Sequence, residues 1–120
     1  MYEVATEHGD GDKPVWFSEI GWSDWGNDSE KEKIGDKYVS AFDTIKKELP
    51  FVEVVFVFRL TSLFTQNVSS AGEMNFGIFY NPQDPVNKGA PKPAAISIAK
   101  YINGEDYDLT PLYKYCNAQE

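Results

Sequence analysis

The sequence predicts an α/β fold built from parallel strands with packed helices. Two stretches, residues 15–17 and 51–60, are almost continuously apolar, which is typical of parallel strands covered on both faces. Between them, apolar residues recur with the period of an α-helix. A strand, a helix and a second strand in this order form a right-handed parallel βαβ unit. We therefore expect one domain over residues 1–120, with helices packed on a parallel sheet.

The composition fits a folded domain and excludes several classes of partner. Hydrophobic residues make up 42% of the 120 residues and aromatic residues 15%, which excludes a disordered chain. Eleven basic residues against nineteen acidic ones give a net charge of −8, so nucleic acids and anionic membranes are poor partners. No apolar run approaches the roughly 20 residues that a membrane-spanning helix needs. Neutral ligands fit this chain better.

Cysteine usage excludes two common ways of stabilising a small domain. Cys116 is the one cysteine, so an internal disulfide cannot form, and no His/Cys cluster with the spacing of zinc ligands accompanies it. We expect no metal site and no cofactor. The first residues do not resemble a signal peptide, so the sequence leaves the compartment open.

The first strand is predicted over residues 14–19 and ends on a carboxylate. Pro14 suits the first position of a strand, where its missing N–H costs no ladder hydrogen bond. Because side chains alternate along a strand, Glu19 is expected on the same face as Val15 and Phe17, presented at the strand's carboxyl end. The alternative is a structural role, in which Glu19 caps the next turn or pairs with a cation.

The segment from Lys13 to Trp22 reads KPVWFSEIGW. It resembles the seventh-strand motif of the clan A retaining glycoside hydrolases, which are cellulase-like (β/α)8 barrels. That motif runs through a proline, three or four apolar residues, a serine or threonine, a glutamate, and Gly-Trp or Gly-Tyr. The glutamate is the catalytic nucleophile of the family, and Glu19 occupies its place. The resemblance implies activity on β-linked saccharides, and secretion is consistent with the family.

A long helix is predicted between the two strands. Ser29 and Glu32 form a capping-box signature, so the helix is expected over residues 30–49. Pro50 marks its end because proline cannot continue a helix. The second strand is then predicted over residues 52–60.

The rest of the chain is predicted to be a long loop, a helix and a tail. Residues 61–91 have no helical period, and such a long connection is usually functional or mobile. The sequence FGIF at residues 76–79 resembles the eighth-strand loop of the same enzymes, and PKPA at 91–94 resembles the step into their last helix. That helix is predicted over residues 93–103, since proline suits a helix's first turn. Residues 105–120 form an acidic, aromatic tail.

Candidate substrate-binding residues stand near the ends of both strands. The family usually places a tryptophan at the end of the eighth strand as the floor of a sugar subsite, whereas Phe58 and Arg59 stand there in this chain. Trp22 and Trp25, just beyond Glu19, are candidates to replace it, because sugar C–H faces stack on aromatic rings. Core or loop packing is the alternative role for each ring. Arg59, if close to Glu19, would hold that carboxylate ionised and oriented; a structural ion pair or an exposed end is its alternative. Further ring candidates on the long loop are Phe64, Phe79 and Tyr80.

The resemblance supplies only one of the two carboxyl groups that the reaction requires. Retaining glycosidases use two such groups about 5 to 5.5 Å apart, one as nucleophile and one as acid/base. In clan A the acid/base is a glutamate that follows an asparagine at the end of the fourth strand, and no strand of this chain has an Asn-Glu pair. The resemblance covers residues 1–104, the seventh and eighth βα units, whereas a full barrel takes on the order of 200 residues or more. We therefore expect an incomplete barrel that is inactive alone, whether truncated, excised or completed by other chains.

An isolated pair of βα units would expose apolar sheet edges. We expect it to associate with itself or with a complementing barrel fragment. A second class of function is a non-catalytic carbohydrate-binding or assembly-forming α/β fragment. An unrelated doubly wound domain is a weaker third, since no Gly-rich phosphate loop follows either strand.

Overall fold

The structure is a computed structural model that describes residues 1–64, 71–114 and 116. Within this part of the chain, helices and strands alternate as the α/β prediction requires. The middle of the predicted long loop, residues 65–70, and most of the end of the predicted tail, 115 and 117–120, lie outside the described residues. The elements in chain order are α1 (Tyr2–Glu7), β1 (Val15–Ile20), α2 (Asp28–Glu48), β2 (Val52–Val57), α3 (Ala71–Met74), α4 (Pro93–Asn103) and a 3-10 turn (Thr110–Tyr113).

The two strands form one parallel sheet. β1 pairs with β2 from Val15 opposite Val52 to Ile20 opposite Val57. The strands are connected through α2, which gives the predicted order of strand, helix and strand. The prediction of an α/β fold with parallel strands is confirmed at this level.

The pairing of β1 is interrupted by a β-bulge close to its end. Phe17 lies opposite Val55 and Ile20 opposite Val57, so Ser18 and Glu19 face a single residue of β2. Val15, Phe17 and Ile20 are partly buried, whereas Ser18 and Glu19 are both exposed. The prediction that Glu19 shares the face of Val15 and Phe17 is therefore wrong. The extra residue shifts the alternation, and Ile20 takes up the buried face instead.

Helix α2 begins earlier than its sequence signature indicates. Its N-cap is Asn27, whose side-chain oxygen accepts hydrogen bonds from the Ser29 backbone N–H at 3.0 Å and the Ser29 hydroxyl at 2.9 Å. The predicted Ser29–Glu32 capping box is wrong because asparagine fills the cap position first. The helix ends at Glu48, with Leu49 as C-cap before Pro50.

The core lies between the sheet and the two long helices. Tyr38 of α2 is fully buried and packs with Ile34 and with Ala94 of α4. Helices α2 and α4 approach closely because Gly35 has no side chain, and a Cβ there would clash with Ser97. The partly buried residues around this core are Ile20, Trp22, Phe42, Val57, Ile78 and Ile98.

The other face of the sheet carries exposed aromatic side chains. Trp16 is 60% exposed, and its ring lies 6.3 Å from that of Phe56, which is 51% exposed. Phe58 continues this row two residues beyond Phe56 and is also exposed. We call the side chains of Trp16, Phe56 and Phe58 the open face. The prediction that both faces of the strands are buried is therefore wrong for the described residues, because α2 and α4 pack against the side of Ile20 and Val57 and leave the open face exposed.

The chain after β2 folds back beside the end of the sheet. Phe79 forms a parallel bridge with Thr61 and an antiparallel bridge with Pro91. Helix α4 then starts at Pro93, with Lys92 as N-cap, and stops at Gly104, whose φ of 102° is accessible to glycine.

Candidate functional site

Glu19 is exposed at the carboxyl end of β1. The bulge places it just before Ile20, whose side chain is on the buried face, so Glu19 points toward the open side of the sheet. Within the described part of the chain, its carboxylate has no hydrogen-bond donor and no cation as partner. The structural alternative for Glu19, a cap or an ion pair, therefore has no partner among these residues.

The ends of the two strands are held together by backbone contacts next to Glu19. The Phe58 N–H donates a hydrogen bond to the Ile20 carbonyl at 2.8 Å. Gly21 lies directly against the Phe58 carbonyl, and a Cβ on Gly21 would clash with that oxygen. The Tyr38 hydroxyl lies 3.5 Å from the same oxygen. Burial raises the pKa of Tyr38 to about 12. Phe58 thus stands beside the residues that follow Glu19.

A cleft of about 630 Å³ opens beside this strand end. Trp22 and Trp25 form aromatic walls, and the loop after β2 adds a third ring, Phe76. Phe58 packs edge-on against Phe76, with ring centroids 5.5 Å apart, and does not itself line this space. We call this space the aromatic cleft. Its lining residues are Gly21, Trp22, Ser23, Trp25, Glu30, Lys37, Gly72, Glu73 and Phe76.

The two tryptophans of the aromatic cleft differ in their packing. Trp22 is half-buried and meets the Tyr38 ring edge-on at 5.1 Å, so much of it belongs to the core. Trp25 is 64% exposed. Packing was the alternative role for both rings, and it describes Trp22 better. Trp25 offers the larger free ring face.

A tight turn sets the position of Trp25. Its backbone has a φ of 55°, and its N–H donates to the Ser23 hydroxyl oxygen at 3.1 Å. That hydroxyl donates in turn to the Gly72 carbonyl at 2.5 Å. The Trp25 ring lies over Gly72, where a Cβ would come within 2.8 Å of it. The loop after β2 and the turn after β1 are thereby joined at the cleft.

Arg59 does not reach Glu19. Its guanidinium carbon lies 5.7 Å from the centre of the Phe58 ring, and no ion pair joins it to a carboxylate of the described chain. The peptide bond between Phe58 and Arg59 is cis. The prediction that Arg59 orients Glu19 has no support from the contacts of this chain.

A buried polar cluster lies behind the strand ends and was not predicted from the sequence. The Lys92 ammonium donates to an Asp24 carboxylate oxygen at 2.6 Å and to the Ser62 hydroxyl at 2.8 Å. Lys92 and Asp24 are each 2% exposed. Burial lowers the pKa of Lys92, and the neighbouring Asp24 opposes that shift. The signal in the sequence is a lysine at the N-terminus of a helix, where a cation is unfavourable without an anionic partner.

The remaining loop rings are held by packing and by lysines. The Tyr80 ring has the Lys31 ammonium at 5.1 Å and the Lys92 ammonium at 5.3 Å from its centre. Phe79 is half-buried in its two bridges, and Phe64 is exposed away from the lining of the aromatic cleft. Phe76, Gly72 and Ser23 line the cleft although sequence reasoning did not select them.

The described residues contain neither a metal-binding cluster nor a helix that could span a membrane. No group of three or more histidine, cysteine or acidic side chains lies close enough together to hold a metal ion. No helix there combines the length and the apolar character needed to cross a membrane.

Comparison of the chain with models of known protein families, with curated proteins and with solved structures finds no match.

Proposed function

We propose that this chain is the C-terminal segment of a retaining glycoside hydrolase that acts on β-linked saccharides, with Glu19 as its catalytic nucleophile. The observation that carries the proposal is the bulge in β1, which turns an unpartnered carboxylate to the exposed side at the carboxyl end of a parallel strand. Parallel α/β barrels place their catalytic groups at this end of the strands. The motif KPVWFSEIGW supplies the reaction class by its resemblance to clan A.

In this proposal, β1 and β2 with their helices are the seventh and eighth βα units of a (β/α)8 barrel. Glu19 attacks the anomeric carbon and forms a covalent glycosyl ester, while a second carboxyl group protonates the leaving oxygen. That acid/base comes from outside residues 1–120 of the chain that carries Glu19. The chain therefore carries half of the catalytic pair and does not turn over natural saccharides alone.

The aromatic cleft is the proposed saccharide-binding surface. The C–H faces of a sugar ring stack on an aromatic ring, and Trp25 offers the most exposed ring there. Trp22 contributes its uncovered part. Phe58 and Arg59 were also predicted as substrate-binding residues. In this proposal Phe58 acts through its contact with the Phe76 ring, and Arg59 lies beside Phe58 at the strand end.

A fluorosugar with an activated leaving group tests the role of Glu19 in the chain as it stands. In a 2,4-dinitrophenyl 2-deoxy-2-fluoro-β-glucoside, the phenolate departs with its bonding electron pair and needs no protonation. The Glu19 carboxylate would form the new bond to the anomeric carbon as the bond to the phenolate breaks. Mass spectrometry of proteolytic fragments should then locate the fluoroglucosyl group on Glu19.

Two matched variants make this result specific. Glu19→Gln removes the nucleophile and should abolish labelling. Glu53→Gln changes another exposed strand glutamate and should label like the parent. Labelling that persists in Glu19→Gln, or that falls on other acidic residues, would overturn the assignment.

The open face favours a second candidate function, a non-catalytic carbohydrate-binding or assembly-forming α/β fragment. Trp16 and Phe56 are large apolar side chains that are more than half exposed in the described chain, and such surfaces usually belong to an interface. The proposed partner is a second copy or a complementing barrel fragment. This candidate predicts saccharide binding or association without labelling, and Glu19→Gln would then leave glycan binding unchanged.

A further inference from the structure

Lys92 connects three segments that are distant in the sequence. It is the N-cap of α4, and its ammonium contacts Asp24 in the turn after β1 and Ser62 in the chain after β2. The centre of the Tyr80 ring lies 5.3 Å from the same ammonium. One side chain therefore ties together the segments that follow both strands.

Asp24 passes this connection on to the turn that carries Trp25. One of its carboxylate oxygens accepts from Lys92, and the other accepts from the Gly26 N–H at 2.8 Å. Its backbone carbonyl accepts from the Asn27 N–H at 2.8 Å. Trp25 lies inside this hydrogen-bonded turn, so the position of its ring depends on where Asp24 is held.

From these contacts we propose that Lys92 is a positioning residue of the aromatic cleft. It does not line the cleft and does not touch a ligand there. Its ammonium fixes Asp24, and Asp24 fixes the turn that presents the Trp25 ring over Gly72. The saccharide part of this inference rests on the proposed function, whereas the control of Trp25 by Lys92 does not.

Fluorine NMR of the 5-fluorotryptophan-labelled chain measures the position of each ring separately. The chain has three tryptophans, so it gives three resonances, each assigned by a Trp→Phe variant. In Lys92→Met, the Trp25 resonance should move or broaden by more than its linewidth. The Trp16 resonance should stay, because Trp16 lies on the open face. Lys47→Met removes an exposed lysine of α2 and should leave all three resonances unchanged.

A second variant makes the same test in a chain that buries no unpaired charge. Lys92→Met leaves the Asp24 carboxylate buried without a cation, which can prevent folding. Asp24→Asn/Lys92→Met buries no charge and keeps an acceptor for the Gly26 N–H. An unchanged Trp25 resonance in the folded variant overturns the proposal. A joint movement of all three resonances also overturns it, because it indicates general loosening.

Titration with cellotetraose separates this inference from the proposed function. If the parent binds this β-linked oligosaccharide, Lys92→Met should bind it about tenfold more weakly, the fold-change expected when one aromatic stack is lost. Equal affinity together with an unmoved Trp25 overturns the positioning role and leaves the proposed function intact. A parent that does not bind, with a Trp25 resonance that still responds to Lys92, supports the positioning role and contradicts the saccharide assignment.

Discussion

Gly21→Ala tests how the strand ends support Glu19. Gly21 follows Ile20 directly, and its α-carbon lies so close to the Phe58 carbonyl that an added methyl group would clash with it. The same methyl group would lie 3.3 Å from the Tyr38 hydroxyl. The strand ends must therefore separate, which breaks the 2.8 Å hydrogen bond from the Phe58 N–H to the Ile20 carbonyl.

The cost follows from these contacts. Losing the hydrogen bond costs about 1 kcal/mol, and forcing a methyl group into a filled space costs about 1–3 kcal/mol. We therefore expect a free energy of unfolding lower by about 2–4 kcal/mol. For a domain of this size, each kcal/mol lowers Tm by about 4 °C, so Tm should fall by about 8–16 °C. Labelling of Glu19 by the fluorosugar should also be lost, because the bulge loses its support.

Thermal unfolding followed by far-UV circular dichroism measures this effect. Gly9→Ala is the matched control, since Gly9 has a φ of 85° but no atom within 4 Å of an added Cβ. Its cost is only the left-handed backbone conformation, about 1–2 kcal/mol. If Gly21→Ala melts at or above the temperature of Gly9→Ala, the close contact of the strand ends does not hold them in place.

Three further predictions concern titration and association. Burial raises the pKa of Tyr38 to about 12, so the free energy of unfolding of the parent should fall as the pH rises from 10 to 12. In Tyr38→Phe this fall should be smaller by at most about 2 kcal/mol, which urea unfolding at pH 10 and at pH 12 would show. The pKa of Lys92 in the folded state is lowered below 10.5, so at pH values between the two the unfolded state binds more protons than the folded state. As the pH rises over this interval, the free energy of unfolding of the parent should increase relative to that of Asp24→Asn/Lys92→Met. A difference between the two free energies, measured by urea unfolding, that falls with rising pH contradicts this prediction. Trp16→Ser should weaken self-association measured by sedimentation velocity, whereas Val86→Ser, at an exposed apolar residue outside the open face, should not.

The α/β fold could be predicted because its cause is local in the sequence. Two apolar runs and a helical period between them are properties of consecutive residues, and they determine strand, helix and strand. The observed start of α2 differs from the predicted one because Asn27 and Ser29 are both good N-cap residues. Only the backbone geometry decides between them, and in the structure the Asn27 side chain caps the helix.

The position of Glu19 could be predicted only in part. Its place at the end of a strand follows from the sequence, but its face depends on how β1 pairs with β2. Ser18 and Glu19 lie opposite one residue of β2, and this mismatch arises from contact between residues almost 40 positions apart. The Lys92–Asp24 pair, 68 positions apart, escaped prediction for the same reason.

The bulge links the two proposals for this chain. Because the residue before Ile20 points away from the helices, Glu19 stands on the same side of the sheet as Trp16 and Phe56. Parallel sheets usually have both faces covered, so a partner that packs on the open face would also lie next to Glu19. The acid/base would then come from the covering partner. If that partner is a second copy, hydrolysis of cellotetraose, whose leaving oxygen must be protonated, should appear over the protein concentrations at which sedimentation detects association. If cellotetraose is not hydrolysed across that range, self-association does not complete the site, and under the proposed function the acid/base belongs to further βα units.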